Sequence, residues 1–169
     1  MTMQLHQLFP TAIATVQLAL DPLAVAGQLQ VLFGLRGDAT GNPTEGCAWT
    51  GDLHGAWQLH QHPDFVGLTQ QVADQAWTYL EAVGFERSQV ALHLQRCWPV
   101  LSDWDQVVGR HHHPNAHLSA VLYLTGSGTG EQGCLRLQAP HRINELVPGL
   151  AVGHGGPIAE GHPLNADHW

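Results

Sequence analysis

Residues 110–117, RHHHPNAH, set four imidazoles within seven positions, directly ahead of the apolar run LSAVLYL at 118–124. On an extended chain, side chains two residues apart share a face, so His111 and His113 project together while His112 points away. Two neutral imidazoles so placed offer two nitrogens to one ion, and imidazole is a common ligand for Zn, Fe, Cu and Ni. Histidines engaged only in surface hydrogen bonding produce the same pattern, so the spacing alone leaves both readings open. Pro114 and Asn115 form a turn signal between the histidines and the apolar run.

The elements that would position this pair can be read from the rest of the chain. Ile13, Val16 and Leu18 suggest a first strand. Asp21 reads as an N-cap, Pro22 as the first helical residue and Gly37 as the stop of a helix. Residues 38–61 are rich in Gly, Pro, Asn and Asp and read as a long loop with a short strand near Trp57. Phe65, Leu68, Val72, Ala76, Tyr79, Leu80 and Val83 recur at three- and four-residue steps, which predicts an amphipathic helix over 62–85 that Gly84 ends. From residue 89 the period changes to two. Val90, Leu92 and Leu94 alternate with Ala91, His93 and Gln95, and Pro99 keeps this strand near an edge or bulge. Further strands are expected at 106–112, 117–125 and 133–138, and the segment after 138 reads as loop. Helical support over about 21–84 followed by strands from about 89 predicts one mainly β domain over 1–169, a helix-backed sandwich or barrel.

Composition narrows the partners. The 169 residues are 44% hydrophobic and 12% charged, with a formal charge of −8. All six basic residues are arginines, scattered singly at 36, 87, 96, 110, 136 and 142. Phosphate backbones need clustered cations, so nucleic acid is not an expected partner. No apolar run is long enough for a membrane span, and the N-terminus lacks a charged segment ahead of its apolar part, so a cytoplasmic protein is expected. Cys47, Cys97 and Cys134 are too widely spaced for a cysteine-based zinc site and odd in number, so they are expected as free thiols.

The segment WDQVVGRHHHPNAHLSAVLYL resembles the signature of the 2-oxoglutarate-Fe(II) oxygenases, written roughly H-x-H-P-N-S-x-L-S-G-V-x-Y-L. His111, His113, Pro114, Asn115, Leu118, Ser119, Val121, Tyr123 and Leu124 match it in order. The resemblance extends to LFPTAI near the start, to the helix entered at HPDFVGLTQQV and ending YLEAVGF, and to GCLRLQAP downstream. It implies a double-stranded β-helix, or jelly roll, that binds Fe(II) through His111 and His113, takes 2-oxoglutarate as co-substrate and uses O₂ as oxidant. The wider superfamily has H-x-D or H-x-E where histidine stands at both positions here. Ala116 and Ala120 replace a serine and a glycine, Leu122 stands where an aromatic is common, and His117 is extra. Relatives continue past a segment like NADHW with a further strand, a distal histidine and an arginine that grips the 2-oxoglutarate carboxylate. The resemblance therefore implies a jelly roll incomplete at its C-terminus, with turnover by this stretch alone not expected, and open sheet edges that a homodimer would shield.

Within the chain, His154, His162 and His168 are the candidates for a third ligand, ahead of His54, His60, His62, His93 and His141. Trp98 and Trp104 flank the pair and read as walls of the site. Arg96 and Arg136 fall on expected strands, where each either snorkels to the surface or faces a carboxylate. Two other functions stay open. A cupin-like metal-binding protein would use H-x-H and His117 without 2-oxoglutarate, and a non-catalytic binding module would keep the fold without the chemistry. The substrate, a small molecule or a peptide, has no signature in the 38–61 loop.

Overall fold

Asp21 accepts a hydrogen bond from the Leu23 backbone N–H at 3.1 Å and starts the first helix, α1, Pro22–Arg36, with proline in its first turn as the sequence predicts. Gly37, at φ 55°, donates its N–H to the Phe33 carbonyl and ends the helix. This computed structural model describes residues 11–37, 42, 44–126 and 133–137, together with the backbone of 162–164.

The second helix, α2, spans Pro63–Ala82, and its N-cap is His62, whose Nδ1 accepts from the Asp64 N–H at 3.3 Å. Its C-terminus closes where Gly84, at φ 98°, lets Phe85 N–H reach back to the Leu80 carbonyl. The expected apolar face is present. Phe65 and Leu68 are buried, Val72, Ala76, Tyr79 and Leu80 are half-buried, and Val83 at the end is exposed. Helix α1 packs on α2 through Leu32 and Gln28, whose side-chain amide donates to the Asp64 carbonyl at 2.9 Å.

The loop between the helices carries order that its composition does not announce. Strand β1, Trp49–Thr50, pairs antiparallel with β2, Val100–Leu101, in the register Trp49↔Leu101 and Thr50↔Val100. Ala48 and Trp49 are fully buried, and two single 3₁₀ turns follow at Gly51–His54 and Leu59–Gln61. Asn42 ties the strand down, accepting from Thr50 N–H and donating to Thr50 Oγ1, both at 3.1 Å. Gly51 is required here: a Cβ on it would sit 2.6 Å from Pro99 Cδ and 2.7 Å from the Ala56 carbonyl. The short strand expected near Trp57 is a single parallel bridge, Gln58↔Cys97.

Several expected strands are absent from the described residues. No strand forms at 13–18, where Ile13 is 53% exposed. The strand expected from 89 is reduced to the bridge at Cys97 and to β2, with Val90 and Leu94 in solvent. Of 106–112 only the bridge Cys47↔Val107 remains, and 117–125 joins no ladder. The physical reason is that a strand exists only with a partner. Alternation marks a chain suited to a ladder, but among the described residues nothing lies alongside these segments to complete one. The expected strand at 133–138 is present as β3, Leu135–Leu137, pairing antiparallel with β4, His162–Leu164. Strand β4 falls in the tail expected to be loop. Pro163 obscured it, since proline lacks a ladder donor and is tolerated only at an edge, which a two-stranded ladder provides.

The chain divides into two units, residues 1–14 with 18–121, and residues 15–17 with 122–169. The helices, β1 and β2 belong to the first, β3 and β4 to the second. No helix among the described residues is long and apolar enough to cross a membrane.

Candidate metal centre

The segment leading to the histidines is held from two sides. Cys97 N–H donates to the Trp57 carbonyl at 3.0 Å, and Leu59 N–H donates to the Cys97 carbonyl at 2.9 Å. Two residues on, the Pro99 carbonyl accepts from Gly51 N–H at 2.9 Å, and β2 continues the pairing. The chain then reverses at 103–106, where Asp105 takes a positive φ of 62°, which a short polar side chain tolerates. Asp103 anchors this turn to α1 through Arg36 at 3.2 Å. Val107 next exchanges hydrogen bonds with the residues leading into β1, donating to Gly46 and accepting from Ala48, each at 2.9 Å. Four residues further on stands His111.

The structure brings His111 and His113 together, with ring centroids 4.9 Å apart and planes at 69°. His111 Nδ1 lies 2.8 Å from the Gly109 carbonyl. A carbonyl can only accept, so this contact makes Nδ1 the protonated nitrogen and leaves the Nε2 lone pair for a ligand, the arrangement that orients metal-binding histidines. His113 is flanked by Trp98, centroid to centroid 5.8 Å and tilted by 32°. The predicted Pro114–Asn115 turn is present, closed by Ala116 N–H on the His113 carbonyl at 3.3 Å.

The pair can be tested against an ion. With a metal–nitrogen distance of about 2.1 Å, two imidazoles bound at about 90° to 110° have centroids roughly 4.5 to 5.2 Å apart. The observed 4.9 Å falls inside that window. Both histidines are exposed, so an ion held by them would keep open positions for other ligands. Among the described residues no group of three or more His, Cys, Asp and Glu is placed to hold a metal.

The remaining histidines have other surroundings. His54 stacks on Trp49 at 5.4 Å, His62 caps α2, and His60 keeps its Nδ1 buried without a partner. His93 and His117 are exposed. His162 lies on β4 opposite Leu137, while His141, His154 and His168 lie outside the described residues. Arg96 sits 5.3 Å over the Trp57 ring, and Arg136 is exposed on β3. Trp98 does border the pair, but Trp104, expected as a second wall, is 74% exposed in the reversal after β2, where the turn points it into solvent. The sequence reading missed the Gly109 carbonyl, which no side-chain pattern could reveal. No disulfide forms among the described residues, all three cysteines are half-buried, and burial pushes the Cys97 thiol up against the opposing effect of the His60 backbone N–H. In the second unit, burial and the neighbouring Cys134 raise the Tyr123 phenol, against a lowering hydrogen bond from the Leu135 backbone.

Residues 96–157 match the family model described as "Putative 2OG-Fe(II) oxygenase". The match covers less than half of the chain, so it likens this segment, rather than the whole chain, to that oxygenase family. No curated protein and no solved structure matches the chain. The matched segment begins at Arg96 and takes in Trp98, His111 and His113, so the whole arrangement around the paired rings lies inside it. The helices and β1 lie before it, a narrower span than the resemblance of the sequence suggests.

Proposed function

We propose that this chain contributes the first two metal ligands, His111 and His113, of an oxygenase dependent on Fe(II) and 2-oxoglutarate, folded as a double-stranded β-helix. What supports the reading is one observation: two imidazoles at a separation suited to a shared ion, inside the segment that matches the family. When bound, Fe(II) with 2-oxoglutarate would supply the activation of O₂ for hydroxylation of a substrate. The chain's own contribution is to hold the ligands. The Gly109 carbonyl fixes the His111 tautomer, and the Pro114–Asn115 turn follows directly after the pair. No third group joins them among the described residues, so in this reading the remaining protein ligand comes from elsewhere.

The test is anaerobic Fe(II) binding by the chain, with and without 2-oxoglutarate, in the parent and in His113→Ala. The oxygenase reading expects Fe(II) uptake that is lost in the variant, and a visible charge-transfer absorption on adding 2-oxoglutarate. Uptake without that absorption points to a cupin-like metal-binding protein. A parent that takes up no metal points to a non-catalytic module, and a variant that binds as well as the parent removes His113 from the site.

A further inference from the structure

Both imidazoles are exposed, and an exposed histidine samples several rotamers unless a neighbour restrains it. His111 has the Gly109 carbonyl for this. Among the described residues the His113 ring makes no hydrogen bond, and its aromatic neighbours are His111 and the indole of Trp98. The indole is well placed to restrain it. Its backbone stands between Cys97, bonded to Trp57 and Leu59, and Pro99, bonded to Gly51, so it is the best-anchored large side chain near the pair. Trp98 is half-buried, whereas His113 is in solvent, so the ring that is held can fix the ring that is free. The separation and tilt fall within the range of favourable offset aromatic contacts.

We infer that Trp98 is a positioning residue for the metal site, its indole face holding the His113 imidazole in the orientation that shares an ion with His111. The inference rests on the metal reading of the pair. It gives the two ligands unlike supports: a backbone carbonyl that selects a tautomer for His111, and an aromatic face that selects a rotamer for His113. The second support reaches back to the helical region through Cys97, Leu59 and the turn that enters α2.

The test uses the full 169-residue chain and Co(II) alone as probe. Affinity is measured by equilibrium dialysis, and indole emission is followed in the same titration. Trp98→Leu keeps apolar bulk but removes the aromatic face, and should weaken Co(II) about tenfold, the lower end of what loss of an orienting partner costs a metal site. Trp98→Phe restores a face and should restore the parent affinity, a rescue that a filler of space would not need. The ion should quench part of the parent's emission, and Trp98→Phe should abolish that component while still binding. If Trp98→Leu binds Co(II) like the parent while His113→Ala does not, the inference fails and the metal site stands. If His113→Ala also binds like the parent, the metal reading fails and takes the inference with it.

Discussion

Two stretches of the first unit answer to different demands. Around Ala48–Gly51 and Cys97–Leu101 the backbone is paired on both sides, Ala48 and Trp49 are fully buried, and Gly51 has no room for a methyl group. From Gly109 to His117 every residue is exposed and the chain is held by one ring-to-carbonyl contact, one turn and one aromatic neighbour. The first stretch is built for rigidity, the second for access. A metal site that must admit a co-substrate needs both, since open coordination positions are useful only if the ligands beneath them are held still. The contrast shows where each property comes from: the stiffness of the histidine segment is borrowed from the strand beside it.

The contrast can be broken from either end. Gly51→Ala drives a Cβ against Pro99 and the Ala56 carbonyl, and should cost about 3 kcal/mol of stability as an overpacked site next to backbone, read as a lowered urea midpoint. It should also weaken metal binding, because Pro99 adjoins Trp98. His113→Ala should do the reverse. Its side chain is exposed, so stability should stay within about 0.5 kcal/mol of the parent while metal uptake is lost. If His113→Ala unfolds the chain, the two stretches are not separable in the way their burial implies. A smaller effect tests the helical support alone. Asp21→Ala removes the cap of α1 and should cost about 1 kcal/mol without changing metal affinity, since the contact of α1 with the turn ahead of the site is the surface pair Arg36–Asp103.

The same contrast explains what could be read from the sequence. Both helices were legible because their signals are local: Asp21, Pro22 and Gly37 at the ends of α1, and the apolar stripe with Gly84 for α2. His111 and His113 were legible as a pair because their spacing is also local. The strands were not, because pairing is a property of two segments. Trp49–Thr50 was hidden in a loop-like composition, and its pairing partners, Leu101 and Val100, lie some fifty residues away. The alternation of Val90, Leu92 and Leu94 promised a strand that has no neighbour among the described residues. Trp98 could be named as a wall, but its contact with His113 depends on the reversal at 103–106 that brings the two together.

The smallest expected effect separates the rigid stretch from the open one by pH. Cys97 lies in the rigid stretch, and burial raises its pKa above the ordinary 9.0. A raised acid holds its proton in the folded chain after the unfolded chain has released it, so the neutral thiol's contribution is complete below about pH 9 and declines as pH rises through the folded value. Tyr123, raised from 10.0 in the other unit, acts in the same direction at higher pH. The chain should therefore lose stability progressively above pH 9, and Cys97→Ala should flatten the first part of that decline, read from urea midpoints at pH 8 and upward. His113→Ala should leave the alkaline slope as it is, because nothing in the open stretch shares the burial that creates it. An unchanged slope in Cys97→Ala would mean that the thiol is wetted in solution and that the paired stretch is looser than its hydrogen bonds imply.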